Sequence, residues 1–176
     1  MRQPVSINGI LKVRRLTIIP LLSAGGAVIF VFESMIPQPL PFAKLGLSNI
    51  APLIALYIFG LPEALAVGWL RIIIGGLFSG SLFSPAFILG FSGSGAAVLT
   101  MYAGLLLGRE RLSPVGVSVL GAAGHNIAQV ITAGLLFVGH HALWNILPFM
   151  LLFAAFTGAF VGIIAWEILE RMKLID

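Results

Sequence analysis

Arg71 sits in the middle of LPEALAVGWLRIIIGGLF, a run with no other basic residue, and GHNIAQ sets His125, Asn126 and Gln129 inside a second apolar stretch. Ser92 and Ser94 in GFSGSG and Thr157 lie near the middles of two further runs. With a helical rise of about 1.5 Å per residue, these side chains fall at a similar depth and form one polar layer. A guanidinium carries its donors in a planar fork that matches carboxylate or phosphate, histidine can accept, donate or change charge near neutral pH, and carboxamides read polar edges. The chemistry these residue types offer is recognition of a small acidic molecule. No carboxylate stands at the level of Arg71 on its own run, because Glu63 is more than two turns away and Glu33 is near the end of the first run. Two readings of Arg71 follow: compensation by an acidic ligand, or satisfaction by helix carbonyls with a tertiary contact to Glu33.

Other chemistries lack their residues. The chain has no cysteine, which removes disulfides, iron–sulfur clusters and cysteine zinc sites. His140 and His141 are adjacent and point to different faces if helical; beside Trp144 they read as an interfacial loop rather than a metal site. A single midplane histidine, His125, reads as a packing or ligand contact, and no metal or cofactor is expected. GFSGSGAA, Gly90 to Ala97, lacks the lysine and following Ser/Thr of a phosphate-binding loop and reads as a closely packed or locally unwound helix that could lend backbone N–H groups to a ligand. Transport against a gradient would draw its energy from a partner or an ion gradient.

The elements that must position this layer are membrane helices. The chain has 176 residues, 59% of them hydrophobic and only 9% charged, far from the composition of a soluble domain. A span needs about 20 apolar residues, so the expected architecture is a single all-α membrane domain over residues 1–176, a bundle of six transmembrane helices. Expected spans are Leu16 to Ile36, a short one from Ser48 to Phe59, Leu61 to Phe78, Pro85 to Leu107, Pro114 to Val138 and Ile146 to Leu169. Ser84-Pro85 and Ser113-Pro114 read as helix entrances, since serine can accept a free N–H and proline has none to satisfy; Asn145 reads as the cap of the last span. The net charge of +4 suggests membrane orientation and no nucleic-acid surface. Basic residues gather in the arm over residues 1–15, in GRERLS (Arg109, Arg111) and in the tail over residues 170–176 (Arg171, Lys173). With six spans these fall on one side, which places both termini in the cytoplasm and the loop over residues 37–47 outside. Pro37, Pro39 and Pro41 favour a stiff extended strap across the outer face, and Lys44 and Asn49 on it are placed to close over a ligand. Ser23 and Ala27 with Gly25 and Gly26 on span one, and Ala154, Gly158 and Gly162 on span six, are small-residue stripes that serve internal packing or dock a partner helix.

ESMIPQPLPFAKLGLSNIAPL, Glu33 to Leu53, resembles the signature of the heptaprenyl diphosphate synthase component I family, also called Gx transporter proteins, and the resemblance covers most of the chain. That family is similar to the substrate-binding S components of energy-coupling-factor (ECF) vitamin transporters. The likeness implies six helices with cytoplasmic termini, a gate formed by Pro37 to Ser48, and docking of a transmembrane coupling protein at Ser23 and Ala27, with serine in place of the first alanine of the usual Ala-xxx-Ala pattern. It also implies a bacterial inner-membrane location, two ATPase subunits and a vitamin- or precursor-like ligand; the polar layer and the loop above it then offer Arg71, His125, Asn126, Gln129, Lys44, Asn49, Ser92 and Ser94 as the contacts of that ligand. Two other functions are implied: a membrane subunit of a flavin and quinone electron-transfer system, with His125, Gln129 and Trp144 around a quinone, and a non-catalytic membrane component of heptaprenyl diphosphate synthase. Prenyl condensation holds magnesium with aspartates. The chain's single aspartate, Asp176, leaves no such catalytic site.

Overall fold

The computed structural model describes residues 7–36, 45–108, 111–138 and 141–173. Pro37, Pro39, Pro41 and Lys44, expected to form the strap, lie outside the described residues. The regular structure described is helical throughout: α1 (Ile7–Met35), a 3-10 turn (Leu47–Asn49), α2 (Ile50–Phe59), α3 (Leu61–Phe78), α4 (Pro85–Gly108), α5 (Pro114–Ala133), a π turn (Gly134–Val138), a second 3-10 turn (His141–Asn145) and α6 (Leu147–Lys173).

The entrances follow the local chemistry. The Ser113 hydroxyl accepts from the Gly116 N–H at 3.4 Å and the Ser84 hydroxyl from the Phe87 N–H at 3.2 Å, with Pro114 and Pro85 as the first helical residues. Gly60, at φ 102°, makes the single-residue corner between α2 and α3, a backbone conformation that only glycine adopts at low cost. Asn145 is not a cap: it belongs to the 3-10 turn, and Ile146 supplies the carbonyl that accepts the Met150 N–H at 3.0 Å.

Among the described residues, five helices are long and apolar enough to cross a bilayer: Arg15–Met35 within α1, α3, α4, Pro114–Phe137 and Leu143–Met172. The second expected span differs. Ten residues of α2 rise about 15 Å, roughly half a hydrocarbon core. It survives at that length because protein surrounds it, with Leu53 and Ala55 fully buried. Outward faces carry exposed Phe78, Phe83 and Leu107 while Arg71, Ser94 and Gln129 are buried, the distribution expected where the solvent is lipid.

Packing sets the directions. Gly26 lies against Arg71 and Phe30 against Gly75, so a step of four along α1 matches a step of four along α3 in the same sense, and the Arg15–Glu63 ion pair at 3.1 Å ties the beginnings of both helices. The chain between them must therefore return through α2. The steps oppose in the other pairs: Gly76 meets Phe87 while Gly68 meets Ser94, Gly93 meets His125 while Met101 meets Gly121, and Gly158 meets Val119 while Gly162 meets Val115. Successive helices from α3 to α6 thus run antiparallel. GFSGSGAA is continuous helix within α4, neither unwound nor offering free backbone N–H groups, because its small residues let α3 and α5 approach.

Candidate functional site

Among the described residues Arg71 is the largest fully buried side chain, only 2% exposed. A glycine of the neighbouring helix makes room for it: Gly26 of α1 lies against it, and a Cβ added there would stand 3.2 Å from the Arg71 Cδ and crowd the guanidinium stem. Nη1 donates to Ser48 Oγ and Nη2 to Asn49 Oδ1, both at 2.5 Å, with a longer contact from Nη2 to Ser94 Oγ at 3.4 Å. Ser94 Oγ in turn donates to the Gly68 carbonyl at 3.0 Å, which fixes α4 against α3.

Glu33, 4% exposed, approaches from α1. Its carboxylate accepts the Leu47 N–H at 2.7 Å and the Ser48 N–H at 3.2 Å, two donors that the start of a helical segment leaves without internal partners. Gly46, in the left-handed conformation at φ 76°, turns the chain so that both N–H groups face it. Glu33 and Arg71 interact electrostatically, yet no direct ion pair joins them; Ser48 stands between, its N–H on the carboxylate and its hydroxyl on the guanidinium. The tertiary contact between Glu33 and Arg71 left open by the sequence is thus real and indirect, and neutral oxygens of Ser48 and Asn49 replace the expected helix carbonyls.

Beside this chain of contacts lies a chamber of about 60 Å³, measured as the space open to the centre of a water molecule. It is bounded on one side by Glu33, Ser48, Asn49 and Arg71 and on the other by Ser118, His125, Asn126, Gln129 and Thr157. Close packing holds the second wall. A Cβ on Gly93 would stand 2.8 Å from the His125 ring, and Asn126 Nδ2 donates to the Met150 carbonyl at 2.8 Å, which orients the carboxamide between α5 and α6. Gln129 is 6% exposed; its Oε1 and the Nε of Arg71 have no hydrogen-bond partner among the described residues.

Of the expected ligand contacts, Arg71, Asn49, His125, Asn126 and Gln129 therefore meet at one chamber. Ser94 reaches it only through Arg71. Ser92 is not on the lining: its hydroxyl donates to the Leu89 carbonyl at 3.1 Å and accepts from Thr132 at 3.0 Å, tying α4 to α5. Ser23 and Ala27, expected to dock a partner, are 1% and 3% exposed and face the chain's own core, with the Ser23 hydroxyl on the Ile19 carbonyl. The face α1 turns outward instead carries Leu21, Ala24, Gly25, Val28 and Phe32. Sequence reasoning missed Ser48 and Ser118 as lining residues, and treated Glu33 only as a neighbour of Arg71. The signal available for Ser48 was its place one residue before Asn49, where two polar side chains precede a short apolar helix.

No curated protein and no solved structure gives a significant match to the chain. The family model described as heptaprenyl diphosphate synthase component I matches residues 22–168, and the chain belongs to that family.

Proposed function

We propose that the protein is a non-catalytic membrane component that holds a small acidic molecule in the Arg71 chamber and works in assembly with partner subunits. The observation that carries this reading is a fully buried guanidinium, its Nε unpartnered among the described residues, on the lining of a pocket that the carboxamide residues Asn126 and Gln129 also line. Glu33 balances the formal charge of Arg71 within the chain but leaves its Nε donor without an acceptor, and a cavity beside a buried unsatisfied donor is where a ligand can supply one.

The family description favours assembly with a heptaprenyl diphosphate synthase partner. With one aspartate in the chain, a magnesium-dependent condensation needs its carboxylates from that partner. A second reading, uptake of the ligand as an S component with an ECF coupling protein and two ATPase subunits, is favoured by the polar side chains on the chamber lining, which suit a carried polar molecule better than a prenyl chain. Six crossings with both termini in the cytoplasm of a bacterial inner membrane fit either assembly, since α1 and α3 run in the same direction and α2 must return the chain between them.

Native mass spectrometry of gently extracted protein tests the site. A small acidic molecule should be retained by the wild type and lost on Arg71→Ala. Retention of the same molecule by the variant, or a bound quinone in its place, would overturn the reading. Copurifying subunits then separate the assemblies: a soluble prenyltransferase supports the synthase component, and ATPase subunits support uptake.

A further inference from the structure

The chamber wall carries charges of both signs. Arg71 and Glu33 line it together, each buried, and cancel formally, with Ser48 bridging them. A plain anion entering this space would bring a charge with no partner left over, because the guanidinium is already balanced within the chain. An unbalanced buried charge is expensive. A molecule that carries both an acidic and a basic group enters without that cost.

The hydrogen-bonding groups repeat the pattern. Arg71 Nε is a buried donor without an acceptor and Gln129 Oε1 a buried acceptor without a donor among the described residues; both residues line the chamber, and each atom, itself closed to water, is reached from it by a turn of its side chain. The Glu33 carboxylate accepts from two backbone N–H groups and retains further lone pairs. An acceptor-only ligand such as a simple carboxylate offers a partner to the first group alone, whereas a ligand with both functions offers one to each. The space is also small. About 60 Å³ is open to the centre of a water molecule, which holds several waters and so a small ligand or the polar end of one.

We infer that the ligand of this chamber is a small amphoteric molecule: its acidic group meets Arg71, and an amino or ring N–H of the same molecule donates to Gln129 and is balanced by Glu33. This rests on the acidic-ligand reading above and narrows its chemical class. Asn126, held through Nδ2 to Met150, adds a fixed carboxamide beside the donor end.

The test compares matched probes on detergent-purified protein by thermal shift: glycine, β-alanine and γ-aminobutyrate against acetate, propionate and butyrate. At least one amphoteric probe should half-saturate at a concentration about tenfold or more below that of its matched acid. Gln129→Leu should bring that ratio close to one. Gln129→Glu, nearly the same shape and still an acceptor, should raise it, and decides the matter should the leucine variant fail to fold. Equal stabilisation by acids and amphoteric probes in the wild type, or an unchanged ratio in Gln129→Glu, overturns the amphoteric inference while the Arg71 reading stands. Stabilisation by neither series overturns both.

Discussion

Between α1 and α3 the bundle is joined by a buried polar chain from Glu33 through Ser48 to Arg71, whereas α5 and α6 meet through glycines whose missing Cβ atoms let backbone approach backbone. The first seam places a helix too short to span the bilayer and leaves donors for a ligand. The second has nothing to spare: a Cβ on Gly162 would lie 2.5 Å from the Val115 Cα, and one on Gly158 2.8 Å from the Val119 Cα. In a membrane, where apolar burial gives helices no reason to associate, these are the two available means of holding them, directed hydrogen bonds and close contact. The chamber lies between the two: hydrogen bonds build the wall that carries Arg71, and close contact fixes the wall that α5 and α6 supply.

The largest effect is expected at the close-packed seam. Gly162→Leu has no rotamer that avoids the Val115 backbone, and overpacking against backbone should cost more than about 3 kcal/mol, enough to lose most folded protein in detergent. Gly25→Leu on the exposed face of α1, with nothing within 4 Å, should change unfolding in mixed micelles by no more than about 0.5 kcal/mol. Similar losses from both substitutions would show that helix backbone, not contact, is what these glycines serve.

The charged seam should respond next. Arg71→Met leaves Glu33 buried without its counter-charge, and Glu33→Gln does the reverse; removal of one partner of a buried pair costs about 3 kcal/mol or more. The double variant should recover a good part of the loss, because its buried groups are neutral again and the carboxamide introduced by Glu33→Gln keeps one acceptor oxygen for the Leu47 and Ser48 N–H groups. A cycle measured by unfolding in mixed micelles should give coupling of about 1 kcal/mol or more despite the intervening Ser48. Strict additivity would mean that Glu33 and Arg71 serve separate parts of the structure.

How legible these two seams were in the sequence follows from the same physics. Small-residue spacing is periodic and local, so the stripe on α6 (Ala154, Gly158, Gly162) was legible as a packing or docking face, and all three residues are buried within the bundle. Arg71, His125, Asn126 and Gln129 were legible as a polar layer because charge and carboxamide are conspicuous among apolar residues, and they do meet at one chamber. What was not legible is the identity of neighbours. Ser23 and Ala27 have the spacing of a docking stripe, yet spacing does not say whether the contact is internal, and here it is. Ser92 and Ser94 are two residues apart on one helix and so point to different sides, one onto α5 and one onto Arg71, a distinction that needs the rotation of α4. The length of α2 was likewise visible, but that such a short helix could be buried required the Glu33 carboxylate, distant in sequence, at its beginning.

The smallest effect sharpens the comparison at the beginning of α5. The Ser113 hydroxyl caps this helix with an exposed contact of 3.4 Å, longer than a strong N–H···O bond, so Ser113→Ala should cost about 0.5 kcal/mol, the low end for cap removal. Roughly four turns separate this entrance from Gln129, and the intervening α5 backbone is held against α6 at Val115 and Val119. Loosening at the entrance should stop there, and the half-saturating concentrations of the amphoteric probes should match the wild type within about twofold. A fall in probe binding with so small a loss of stability would mean that the α5–α6 seam transmits displacement to the chamber, and the rigidity assigned to that seam would have to be abandoned.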